Sequence, residues 1–162
     1  MTTLTDYGLA IVTAGFSVRL FLRVRESGQT CHWLWALGFL TTAAAAATGG
    51  TFHGFRPVLE ATVTVALWNV TIFLIGFSAA FMVSGTRIAV VGLEGRRWMI
   101  RGITLTLVGL AVQQSGLILH RNLNHNDIYH LIQLGGLYFF YRGASLLKDL
   151  PSRSMTDPKR EA

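Results

Sequence analysis

The chain has 162 residues, of which 51% are hydrophobic and 14% charged, with a net charge of +6. An ordinary soluble domain is about one-quarter charged, so there are too few charges here to build a polar shell. An integral membrane protein is expected. The basic residues form no aromatic-interleaved stripe but lie between apolar runs and in the tail, which argues against nucleic acid as a partner.

The expected fold class is all-α, an integral membrane bundle of five transmembrane helices within residues 1–150, followed by a polar cytoplasmic tail, 151–162. No basic segment precedes the first apolar run, so that run reads as a retained helix rather than a cleaved signal. It covers about 5–24, with Thr5 or Asp6 as its cap. Cys31, the single cysteine, excludes an internal disulfide and reads as a small residue at a helix start. The second span, 33–53, contains "TTAAAAATGG", whose small side chains let a neighbouring backbone approach and place this helix at the centre. The third, 57–85, opens on Pro57, a residue suited to a first helical position. Residues 86–97 read either as an extension of the third helix or as an interfacial segment. The fourth span covers 98–119 and the fifth 127–147; the tail from Pro151 reads as disordered.

Arginine and lysine set the orientation. Arg19, Arg23 and Arg25 surround the first loop; Arg87, Arg96, Arg97 and Arg101 surround the third; Lys148, Arg153, Lys159 and Arg160 occupy the end. The remaining loops hold Arg56 and Arg121. The positive-inside rule therefore puts the N-terminus outside and the C-terminus in the cytoplasm, in a plasma (bacterial inner) membrane.

This topology gathers four of the five histidines at the outer end. His53 closes the second helix, Glu60 opens the third, and His120 ends the fourth. His125, Asp127 and His130 lie in the stretch "LHRNLNHNDIYH", and Asp6 is at the same end. Asp127 and His130 are three residues apart, about 60° around a helix, and can face one point. His125 lies about 140° from His130, so both can bind one metal only where the helix begins after His125. His53 and His130 with Asp127 or His125 form a candidate zinc site with an open water position. Glu60 is the candidate catalytic base. Two alternatives stand beside this reading, and other polar residues have their own. The cluster can simply solvate and cap helix ends, as Asp127 does at a helix N-terminus. His53 with His130 or His120 can ligate haem. Asn69, Gln113, Gln114 and Gln133 read as interhelical hydrogen-bonding residues, with Asn69 an alternative support behind a metal ligand, and Arg142 reads as a snorkelling cation.

The segments "GGTFHGF" and "HNDIYHLIQLGGLYFFYRG" resemble the CREST superfamily of membrane metal-dependent hydrolases. Its members include alkaline ceramidases and the adiponectin/progestin receptor and haemolysin-III-like proteins. The whole chain also looks like small bacterial multi-pass proteins of unknown function carrying a "GGT(F/Y)HGF"-like segment. The CREST resemblance implies a zinc held by a histidine ending the second helix, here His53, and by histidines opening the last, here His130. It implies an acid at the third helix, here Glu60, and a metal-bound water that attacks a lipid amide or ester. Asn126 stands where the family places the first histidine of its last-helix pair, and Gly49 where it places a serine. The competing expectation, from another class, is a non-catalytic membrane subunit or scaffold. Such a protein would pack Trp33, Trp35, Trp68, Phe139 and Phe140 against partner helices, a second copy or pigment-like ligands.

Overall fold

The computed structural model describes residues 2–116 and 124–151. Among the described residues the regular structure is helical apart from one two-residue strand pair. Five helices follow in order: α1 (Thr2–Ser27), α2 (Thr30–Phe55), α3 (Ala61–Arg87), α4 (Leu93–Ser115) and α5 (His125–Ala144). The strands β1 (Ala89–Val90) and β2 (Lys148–Asp149) pair antiparallel. Two of the helices, α1 and α3, are long and apolar enough to cross a membrane.

The expected element order holds, with corrected ends. The first helix starts at Thr2, so Thr5 and Asp6 sit inside it and cap nothing. Pro57 does not open α3. The chain from Phe55 makes turns instead, with the Val58 and Leu59 N–H groups donating to the Phe55 carbonyl at 2.9 and 3.1 Å. The helix starts only after Glu60, whose carbonyl accepts from the Thr64 N–H at 3.0 Å. Residues 86–97 divide between the end of α3, β1 and the first turn of α4. The expected tail lies outside the described residues beyond Pro151.

Packing runs α1 on α2, α2 on α3, and α4 on α5, with α1 joining the two groups through α5. No comparable contact joins α3 to α4 among the described residues. Each seam has its own chemistry. Between α2 and α3, hydroxyls pair across the helices: Thr48 with Thr71 at 2.9 Å and Thr42 with Ser78 at 2.6 Å. In apolar surroundings such bonds average about 0.6 kcal/mol each. Between α4 and α5 the seam is glycine. The buried residues of α4 are Gly95, Gly102 and Gly109, spaced by seven. On α5, a Cβ on Gly136 would stand 2.9 Å from the Thr106 hydroxyl and 3.4 Å from the Gly102 carbonyl. Only a residue without a side chain lets the two backbones come this close. At the end of α4, Gly116 adopts φ +67°, the left-handed conformation that terminates a helix.

Aromatic rings fill the junction of α1, α2 and α5. Phe16 stacks on Tyr141 with centroids 4.7 Å apart and meets Phe39 edge-on at 5.6 Å. Below this junction the chain's last described segment returns to α2. The Asp149 carboxylate accepts from the Thr30 N–H at 2.6 Å and the Cys31 N–H at 2.7 Å. Gln29, the residue flanking α2, makes no side-chain cap of its own and accepts instead from the Asp149 N–H at 2.5 Å. Two free donors at the start of α2 are thus capped from 118 or more residues away. Burial works against ionising Asp149, but the hydrogen bonds from Cys31 and Thr30 outweigh it and hold its pKa below the usual carboxylate value.

Candidate functional site: an acid–histidine pair at the head of a cleft

Since α3 and α4 do not pack together, a cavity of about 460 Å3 remains between the α2–α3 and α4–α5 pairs. Its wall from α3 contributes Trp68, Thr71, Ile72, Ile75 and Met82, and its wall from α2 contributes Thr42, Ala46, Gly49 and His53. Opposite stand Tyr129, His130, Gln133, Leu137 and Phe140 from α5, with Gln113 from α4. Asp6 and Leu9 of α1 close the back. Titratable groups cluster at the end formed by the start of α1, the end of α2 and the start of α5. Apolar side chains dominate the opposite part.

The start of α5 explains how His130 is positioned. Asn124 is the N-cap, and its side-chain oxygen accepts from the Asn126 and Asp127 N–H groups at 2.9 and 3.1 Å. Asp127 returns the favour by accepting from the Asn124 N–H at 3.0 Å, completing a capping box. Asp127 is fully buried, and its second oxygen lies 3.4 Å from the Thr5 hydroxyl. The box starts α5 at His125, so His125 and His130 share one helix at about 140° and do not converge.

His130 points across to α1. Its Nε2 lies 3.2 Å from Asp6 Oδ1, and its Nδ1 lies 3.0 Å from Thr5 Oγ1. Thr5 has a single hydroxyl hydrogen, and it donates to the Thr2 carbonyl at 2.8 Å. In that arrangement Thr5 accepts from His130 Nδ1–H, leaving the Nε2 lone pair facing Asp6. One proton shared between Nε2 and Asp6 Oδ1 then satisfies both. The second Asp6 oxygen, Oδ2, is buried with no hydrogen-bond partner. Gln133 Oε1, on the same cavity wall, is likewise buried and unpartnered. Native proteins rarely leave such acceptors unpaired, and a site awaiting a donor from a ligand is one reason they do.

Of the residues expected from sequence, the structure brings His53 and His130 to one cavity. His53 is exposed at its rim, edge-on to Phe52. Glu60 is exposed at the start of α3 and does not line the cavity. His125 and Asp127 do not line it either, and His120 lies outside the described residues. Gln113 reaches Asn126 at 3.5 Å, a bond between helices, whereas Asn69 faces outward. Asp6, expected from sequence as a helix cap or as a residue at the same end, proves to be the partner of His130. A carboxylate within an otherwise apolar run was the signal for it.

Zinc chemistry needs three protein ligands around an open position. Asp6 and His130 supply two groups in contact, but no set of three or more His, Cys, Asp or Glu side chains is arranged to hold a metal among the described residues. The described residues therefore do not fit a zinc centre as they stand.

No curated protein and no solved structure matches the chain. A model described as a family of unknown function, DUF6962, matches residues 1–95 and 82–149, and the chain belongs to that family.

Proposed function

We propose that the protein is a five-span membrane protein of the plasma membrane that takes a lipid-like amphiphile into the cleft between α3 and the α4–α5 pair and hydrolyses its ester or amide bond. The N-terminus lies outside and the tail in the cytoplasm, following the arginine and lysine distribution. The observation that carries the reading is the Asp6–His130 pair at the polar head of a cleft with apolar walls. Exposure of α3 supports the membrane setting, since only 11% of its most apolar window is buried within the protein. Phe73 and Phe77 stand 69% and 56% exposed on it, which is costly in water and ordinary in lipid.

In this reading the headgroup enters beside His53 and meets Asp6, Gln133 and His130. A hydroxyl or amide N–H of the ligand donates to Asp6 Oδ2, which otherwise has no partner. The Asp6–His130 pair already holds one proton; it can take a second from an attacking water as the water oxygen bonds the acyl carbon, and give it to the leaving oxygen or nitrogen as the ester or amide bond breaks. Thr5 keeps the imidazole in place from the side away from the cleft. The acyl chain lies along Ile72, Ile75, Leu137 and Met82.

Incubating purified protein in neutral nanodiscs with long-chain acyl esters and N-acyl amines tests this, with products read by mass spectrometry. Release of fatty acid by wild type, lost in His130→Ala, is the expected result. Binding without release would leave an amphiphile-binding protein and remove the hydrolase. Zinc content measured on the same samples decides the metal separately. One zinc per chain that disappears in both His53→Ala and His130→Ala would require the cavity to rearrange around a third ligand. The exposed apolar face of α3 also favours a second reading, a subunit that packs against partner helices. A stable membrane partner co-purifying with a catalytically silent protein would establish it.

A further inference from the structure

At the end of the bundle opposite Asp6, Trp98 of α4 carries two guanidinium groups over its ring. The Arg101 and Arg142 guanidinium carbons lie 4.8 and 4.9 Å from its ring centroid. Arg97, one turn before Arg101, lines the same open groove of about 450 Å3, together with Leu93 and Glu94. Among the described residues no carboxylate lies in ion-pair range of Arg97, Arg101 or Arg142. Glu94 instead accepts from the Trp98 indole N–H at 3.4 Å, and Arg142 donates to the Tyr138 hydroxyl at 3.3 Å. Arg101 and Arg142 share one indole with Arg97 in the adjoining groove, so three positive charges outnumber the single Glu94 carboxylate there.

We propose that this groove binds the phosphodiester headgroup of an anionic phospholipid. The inference rests on the membrane-spanning reading, which puts this end at the cytoplasmic surface. Stacking on the indole fixes the guanidinium groups while leaving N–H edges free to fork onto phosphate oxygens. Tryptophan is suited to the headgroup level, where its body is apolar and its rim polar. Basic pockets between helices on the cytoplasmic side take anionic headgroups for the same reason. The choice of a lipid over free phosphate follows from the surface beyond the groove. Ile103 and Leu107 are each about half exposed or more and continue along α4 beyond Arg101, a path for the lipid's acyl chains.

The test reconstitutes wild type, R101Q/R142Q and R101K/R142K into vesicles of phosphatidylcholine containing a minority of phosphatidylglycerol. The protein is then extracted in mild detergent at high salt, where diffuse surface attraction is screened. The ratio of the two lipids retained is measured by mass spectrometry. Wild type is expected to enrich phosphatidylglycerol by about five-fold for each arginine that engages the headgroup. R101Q/R142Q should lose the enrichment and R101K/R142K keep part of it. R56Q is the control, since Arg56 lies 5.6 Å over the Phe52 ring at the other end and should not matter. Equal retention of both lipids by wild type, or enrichment unchanged in R101Q/R142Q, overturns the proposal. Displacement of phosphatidylglycerol by inorganic phosphate would assign the groove to the free anion and overturn the lipid. Resistance of the reconstituted protein to alkaline extraction separates the two failures. A protein stripped from the vesicles refutes the membrane reading as well, whereas an integral protein without lipid preference refutes only this site.

Discussion

Asp6 and Asp149 stand at opposite ends of the bundle, and each joins parts of the chain more than a hundred residues apart. Their oxygens are used differently. Both oxygens of Asp149 accept from backbone N–H groups at the start of α2. Asp6 gives one oxygen to His130 and keeps the other buried and unpaired at the wall of a cavity. A carboxylate whose acceptors are all filled holds a fold together. One that retains a free acceptor in a buried site costs stability and can be kept for a ligand.

The sharpest way to break that contrast is to remove the titratable carboxyl group of Asp6. Asp6→Asn should lower amphiphile turnover by about a hundred-fold or more, as loss of an acid–base group does. Its melting temperature should hold, because the amide N–H can donate to the His130 Nε2 lone pair in place of the shared proton. A variant that melts early yet keeps turnover would make Asp6 a second clamp. Asp149→Ala should do the opposite. Losing two hydrogen bonds to an ionised acceptor should cost about 2–3 kcal/mol, read by thermal unfolding in detergent, while turnover per folded molecule stays put.

Acid sharpens the same comparison. The folded pKa of Asp149 is held below the ordinary carboxylate value by its hydrogen bonds from Cys31 and Thr30. Its contribution is therefore fully present above the unfolded pKa and is lost as pH falls through the folded one. Wild type should lose stability there, and Asp149→Asn should lack that component of the pH dependence. The smallest effect expected is at Thr5. Thr5→Val removes the hydroxyl on His130 Nδ1 at about 1 kcal/mol, seen as a several-fold drop in turnover with little change in melting.

How much of this was legible beforehand differs by level. Element order followed from apolar runs near the length of a bilayer, and the helix ends missed by a few residues where caps decide. Asn124, rather than Asp127, starts α5, because the amide reaches two N–H groups while the acid turns back to the cap. That single offset carries His125 away from His130. Glu60 was expected at the site because it shares an end with His53, yet it opens α3 outside the cavity. Shared depth along a bundle is not shared direction around its axis.

From the sequence alone came the helical class, the apolar character and the concentration of histidine and acid at one end. These follow from composition and from periodic runs, which act locally along the chain. Tertiary structure decided which groups meet. Helix rotation, set by the glycine seam of α4–α5 and the hydroxyl pairs of α2–α3, turns His130 toward Asp6 and leaves a cleft where α3 and α4 stay apart. Such pairings depend on the azimuth of each helix against its neighbours, a quantity fixed by packing between distant segments and absent from any one of them.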